Sequence, residues 1–355
     1  MSSAWLYGIA YTIPASLALG LVMQGPWVFF PWVYVFVFTP ILDALLGLDR
    51  RNPDGGAETR RRSRRLFDLW LYAWLPCQLV LLVWTISVCA SGALAAWEVA
   101  GLITSMGVVS GGGGITVAHE LMHRSRRAEK GLAELLMASV SYPHFCIEHV
   151  FGHHRWVATP HDPATARFGQ SLYGFLPQTL IGGLKSFWQI ETERVRRRGV
   201  RGLGDARLRY PLLVWTFVVV FGAGWGLVGI ALFFAQSAVA VLLLEAINYV
   251  EHYGLRRRPI DRGRFERVQP RHSWNSDHWL TGLYLFNLPR HADHHYLASR
   301  PYSVLRHLDD SPQLPAGYST MVLVAVVPPL WRAVMDHRVQ AWNARQDDGG
   351  LAAQA

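Results

Sequence analysis

Two blocks of this chain are apolar over lengths that suit a lipid bilayer. Nearly all of residues 1–118 is apolar, apart from one Arg-rich patch, and a second block runs from about Leu212 to Tyr249. A helix needs about 20 such residues to cross a membrane. Stretches of this kind are Trp5–Met23, Val28–Leu46, Leu66–Ala90, Leu94–Ala118, Leu212–Ala231 and Phe233–Tyr249. The last two are contiguous, which requires a tight hairpin around Phe234-Ala235-Gln236. The expected fold class is therefore an all-α integral membrane protein. Four transmembrane helices occupy 1–118, a polar helical region 119–211, two more transmembrane helices 212–249 and a second polar region 250–355. A weaker apolar segment, Tyr318–Val334, carries Pro328-Pro329 and is expected to lie at the interface or pack on the polar part.

Charge sets the orientation. Arg50, Arg51, Arg60, Arg61, Arg62, Arg64 and Arg65 crowd the loop after the second span, whereas Gln24–Trp27 and Ser91–Gly92 hold no basic residue. With six spans, the positive-inside rule places both termini and all the polar regions in the cytoplasm, as expected of a bacterial inner-membrane protein. The net charge of +9 is thus explained by membrane topology, and no nucleic-acid motif accompanies it. The first 25 residues have neither a basic n-region nor an A-x-A site, so they read as a first span and not as a cleaved signal. Cys77, Cys89 and Cys146 form no C-x-x-C pair, which excludes a zinc or rubredoxin-type iron centre built from cysteine.

The chemistry lies in the histidines. All 15 fall at or beyond position 119, on the predicted cytoplasmic side. His119 and His123 stand at i, i+4 in HELMHR; His149, His153 and His154 at i, i+4, i+5 in EHVFGHH; His291, His294 and His295 at i, i+3, i+4 in RHADHH; NYVEHYG adds His252. Residues three or four apart on a helix share a face, so each cluster can aim imidazoles one way. These nine residues are too many for one zinc, which takes about four ligands. They suit two metal ions with four or five ligands each, and neutral imidazole suits iron. Metal-bound imidazole usually donates its other N–H to a carboxylate. Glu120, Glu148, Glu251 and Asp293 are the neighbouring candidates. Ser110-Gly111-Gly112-Gly113-Gly114 precedes His119 inside the fourth span, either to let helices approach closely or to unwind the helix and make room for substrate.

HELMHR, HFCIEHVFGHHRWVATPHDPATAR, NYVEHYGL and LFNLPRHADHH, in this order and preceded by DALLGLDRRNP, resemble the membrane-bound alkane 1-monooxygenases. These belong among the His-rich di-iron membrane hydroxylases and desaturases. The resemblance runs from about Asp43 to His295. It implies six transmembrane helices topped by a cytoplasmic di-iron site with two iron ions. It also implies O2-dependent terminal hydroxylation of n-alkanes drawn from the bilayer. Electrons would come from rubredoxin and its NADH-linked reductase, here as separate proteins because the chain lacks the cysteines of a fused rubredoxin. The implied ligands are His119, His123, His149, His153, His154, His252, His291, His294 and His295. Arg124 stands where the family often has Lys, and Pro289 where it often has Gln.

Rival classes fit less of the chain. An intramembrane zinc protease would use His119, Glu120 and His123 with a distant Asp, leaving seven clustered histidines without a role and finding no such Asp in the last two spans. A metal transporter would place ionisable ligands along a path through its spans, which hold few carboxylates beyond Glu245. A ring-methyl hydroxylase of the xylene or cymene type, or a fatty-acyl desaturase, remains within the same di-iron class.

Overall fold

The computed structural model describes residues 4–62, 65–261 and 263–352. Arg64, one of the arginines of the orienting loop, lies outside the described residues. Among the described residues the regular elements are helices apart from a short antiparallel pair, β1 (Pro259–Asp261) and β2 (Arg264–Phe265). Four membrane-length helices come first: α1 (Ala4–Met23), α2 (Gly25–Leu46), α3 (Arg65–Ala90) and α4 (Ala96–Met122). After α5 (Arg127–Ala138), a short helical run over 145–156 and α6 (Leu172–Arg198), a fifth apolar stretch covers Ala206–His252.

That stretch has 47 residues, about 70 Å if straight, more than twice a hydrocarbon core of about 30 Å. It is not straight. Trp225 (φ −139°) and Gly226 (φ 62°) leave helical geometry and reverse the chain. The Phe217 and Phe221 rings then stack on Phe233 at 5.6 and 5.4 Å, although Phe217 and Phe233 would lie about 24 Å apart on one helix. The two arms, α7 (206–224) and α8 (227–252), correct the hairpin expected at Phe234-Ala235-Gln236. Gln236 is fully buried inside α8, where Nε2 donates to Ser139 O (2.8 Å) and Oε1 accepts from Ser110 Oγ (3.2 Å). A polar residue inside an apolar run marks a satisfied contact here, and the turn falls where glycine permits positive φ.

Two segments outside the spans reach down into the bundle. α5 runs back along α4 so that Ser139 also accepts from Gln78 Nε2 (2.8 Å) in the middle of α3. Further on, α9 (Trp279–Tyr284) descends until the Tyr284 and Tyr34 hydroxyls meet at 2.7 Å. The chain turns back through Phe286 (φ 48°) and Asn287 (φ 55°), both non-glycine residues in the left-handed region. Asn287 Nδ2 holds this turn by donating to Tyr302 O (3.0 Å) and Tyr7 Oη (2.5 Å). α10 (His291–Tyr296) follows. The weak apolar segment forms α11 (Tyr318–Ala325) and α12 (Pro328–Ala352), bent by 119° at the prolines. Its Trp331 packs against Tyr249 and Tyr253 of the α8 end.

The glycine run is a close-packed π-type turn, Ser110–Gly114, within α4. A Cβ on Gly113 would come within 1.9 Å of the Trp74 ring, on Gly114 within 1.9 Å of Gln78 Oε1 and on Gly111 within 3.0 Å of Ala240 Cα. Gly112 alone in the run has nothing within 4 Å. Helix packing therefore accounts for three of the four glycines.

Candidate metal centre

Nine imidazoles converge above the apolar bundle and sort into two groups. His119, His123, His149, His154 and His294 form one, and His153, His252, His291 and His295 the other, with the potential ligand atoms of each group within 4.8 Å of one another. The local helices explain the sorting. His119 and His123 project from one face at the end of α4, as i, i+4 spacing requires. On α10, His291 and His295 share a face, while His294 looks to the other group. The middle cluster departs from that rule. Residues His149–His153 form a π turn, whose wider winding aligns i with i+5. His149 therefore joins His154, and His153 is sent to the second group. His252 enters that group from the end of α8.

The inward nitrogens are close. Nε2–Nε2 separations are 3.0 Å for His149–His154, 3.1 Å for His154–His294, 3.2 Å for His252–His291 and 3.0 Å for His291–His295. Nε2 of His119, His123 and His153 is buried without a protein partner. Inward nitrogens gathered this closely in a dry interior suit a shared cation, which satisfies all their lone pairs at once. Two ligands at right angles on a metal with bonds of about 2.1 Å sit about 3.0 Å apart, which the residues match. Burial also lowers the proton affinity of His149, His154, His294 and His295, and brings His123 down to about 3, so these imidazoles are neutral and free to ligate. The residues form a buried metal site.

Around the imidazoles the sequence candidates divide. Glu251 Oε2 lies 3.2 Å from His291 Nε2, on the metal-facing edge, and its other oxygen accepts from Tyr318 Oη (2.7 Å). Glu120 instead holds Arg124 (2.7 Å) and Tyr302 N. Asp293 takes Arg300 and the Arg306 backbone N–H. Glu148 hydrogen-bonds no imidazole; its Oε1 is buried without a partner, and burial raises the carboxyl to about 8. The carboxylate that does orient an imidazole is Asp162, which the spacing argument passed over. Its Oδ2 sits 2.9 Å from His153 Nδ1 and is fixed by Thr165 Oγ1 (2.6 Å), while Ala164 N donates to Oδ1 (3.1 Å). Burial alone would depress His153, but Asp162 raises it above its ordinary value. None of His144, His161, His272, His278, His307 and His337 belongs to either group.

A cavity of about 40 Å³ touches both groups through His119, His149 and His291. Its other walls are mostly apolar: Gly111, Ile115, Phe145, Leu244, Ile247 and Leu288, with Thr116, Asn248 and Glu251 as polar exceptions. On the far side of His153, Asp162 forms part of the wall of an open cleft of about 1040 Å³ whose sides include Arg167, Lys185 and Arg256.

Residues 95–325 match the fatty acid desaturase family. The chain is 42% identical to alkane 1-monooxygenase 2 of Pseudomonas aeruginosa, covering 98% of this chain and 97% of that one. It is 45% identical to alkane 1-monooxygenase 1 of the same organism over 90% of this chain and 85% of the relative. The hydroxylase component of a xylene/toluene monooxygenase of Pseudomonas putida is 29% identical over 94% and 89% of the two chains. These identities over nearly whole chains, joined to the paired imidazole groups, place the protein in the alkane 1-monooxygenase family, within the wider fatty acid desaturase group.

Proposed function

We propose that the protein hydroxylates the terminal methyl of n-alkanes: RCH3 + O2 + 2e− + 2H+ → RCH2OH + H2O. The observation that carries this reading is the small cavity touching both imidazole groups, whose membrane-side wall is apolar. An alkane offers no polar handle, so it binds by burial alone, at about 0.8 kcal/mol per CH2. Ile115, Leu244, Ile247 and Leu288 would hold the chain end and exclude water, and the imidazole edges would face the methyl. Two iron ions, held by His119, His123, His149, His154 and His294 and by His153, His252, His291 and His295, would supply the O2 activation that a saturated C–H bond demands. Asp162 keeps Nδ1 of His153 protonated, so that Nε2 faces inward.

The cleft beside Asp162 suits the electron supply. Its basic side chains fit an acidic one-electron carrier, and a separate rubredoxin with its NADH-linked reductase is the partner we infer. We place this face in the cytoplasm and the spans in a bacterial inner membrane, because the Arg-rich loop lies on the same side as the imidazoles. Greater similarity to the alkane enzymes than to the xylene/toluene enzyme favours the alkyl over the ring methyl. Membranes holding the protein, given octane, hexadecane, p-xylene and an acyl lipid with rubredoxin, its reductase and NADH, are expected to yield 1-alkanols. Oxidation of the xylene or the acyl lipid alone would overturn the substrate assignment.

A further inference from the structure

The reaction written above consumes two protons, and the apolar side chains Ile115, Leu244, Ile247 and Leu288 of the cavity at the metals supply none. Two cavities lie in series between the basic cleft and the metals. Pro163 lines both the cleft and a cavity of about 10 Å³, room for about one water. Asn248 and Phe145 line both that small cavity and the one that touches the imidazole groups. Glu245 faces the middle cavity, fully buried in α8. It accepts from Tyr142 Oη (2.9 Å), Thr179 Oγ1 (2.7 Å) and Asn248 Nδ2 (3.0 Å). His144 Nε2, buried and without a protein partner, belongs to the same wall.

A carboxylate inside a span is costly, and such residues commonly serve ion or proton pathways. No metal-group imidazole is among the hydrogen-bond partners of Glu245, and packing alone would be served by Gln. We propose that Glu245 is a proton relay. It takes a proton from water reaching the middle cavity past Pro163 and passes it, through a water held beside Asn248, into the cavity at the metals. There two protons accompany the two electrons from the reduced carrier, and one oxygen of O2 leaves as water. This rests on the hydroxylation reading.

The test compares Glu245→Gln with Tyr142→Phe, which removes a hydrogen bond to Glu245 but keeps its carboxyl. Both are expected to retain the wild-type metal content. Glu245→Gln should turn over octane about tenfold more slowly. It should also show a larger solvent deuterium isotope effect than wild type and divert electrons from alkanol to hydrogen peroxide. Tyr142→Phe, which keeps the carboxyl, should change isotope effect and coupling much less than Glu245→Gln. In the metal-free protein, the infrared carboxyl signal lost in Glu245→Gln should shift promptly on transfer to D2O. Equal effects of the two substitutions, or a Glu245 signal blind to D2O for hours, would overturn the relay. If Glu245→Gln does not accumulate, Glu245→Asp keeps a carboxyl with shorter reach and should give an intermediate isotope effect; a wild-type value would overturn the proposal. Wild-type protein that makes no alkanol, with the D2O-sensitive signal intact, would instead count against the hydroxylation reading.

Discussion

Asp162 Oδ2 lies 2.9 Å from His153 Nδ1, and both side chains are almost wholly shielded from solvent. This pair ties the four-imidazole group to the wall of the basic cleft. Asp162→Asn keeps the shape and loses the charge. It is expected to weaken metal binding in that group by roughly 10–100-fold. Dialysis against graded chelator, with metal counted per chain, reads the effect, and the five-imidazole group should keep its ion.

The two groups predict different outcomes for neighbouring substitutions. His295→Ala leaves three imidazoles in its group, whereas His294→Ala leaves four in the other. Under mild chelation His295→Ala should retain about half of the wild-type metal and His294→Ala nearly all. Equal losses would contradict the sorting made by the π turn at His149–His153.

The glycine run yields a contrast in stability. Gly113→Ala drives a methyl into Trp74 and should cost about 1–3 kcal/mol. Gly112→Ala meets no neighbour and should gain roughly 0.5–1 kcal/mol from reduced backbone freedom in the unfolded chain. Thermal unfolding in detergent distinguishes them.

Without metal, the buried imidazoles make the fold sensitive to acid. Burial holds His149, His154, His294 and His295 below their ordinary proton affinity and His123 at about 3. The unfolded chain therefore binds more protons than the folded one below about pH 6.5. Stability of the metal-free protein is expected to fall progressively as pH drops from about 6.5 toward 3, and to be unaffected by these groups above that window. Unfolding curves at a series of pH values check the sign.

Much of this was legible in the sequence because helical periodicity and span length are local properties. His119 with His123, and His291 with His295, share faces as their spacing requires. Legibility failed where long-range packing replaced local rules. A π turn inserts a residue that no spacing argument reveals, so His149 pairs with His154. Asp162 reaches His153 only because the chain doubles back after Ala158 (φ 58°), within a loop that has no period to read. Gln236 looked like a turn, yet its amide is satisfied by Ser139 and Ser110 from distant segments. The descent of Ser139 to Gln78 was equally hidden, since nothing in α5 alone announces its partner.

Nine imidazoles from four segments sort into two groups, and we propose that each group holds one iron. Metal analysis of the protein purified from iron-replete cells decides whether they do. About two irons per chain is the expected result, falling to about one in His295→Ala. One zinc per chain, with iron near zero, would overturn the assignment of iron to both groups.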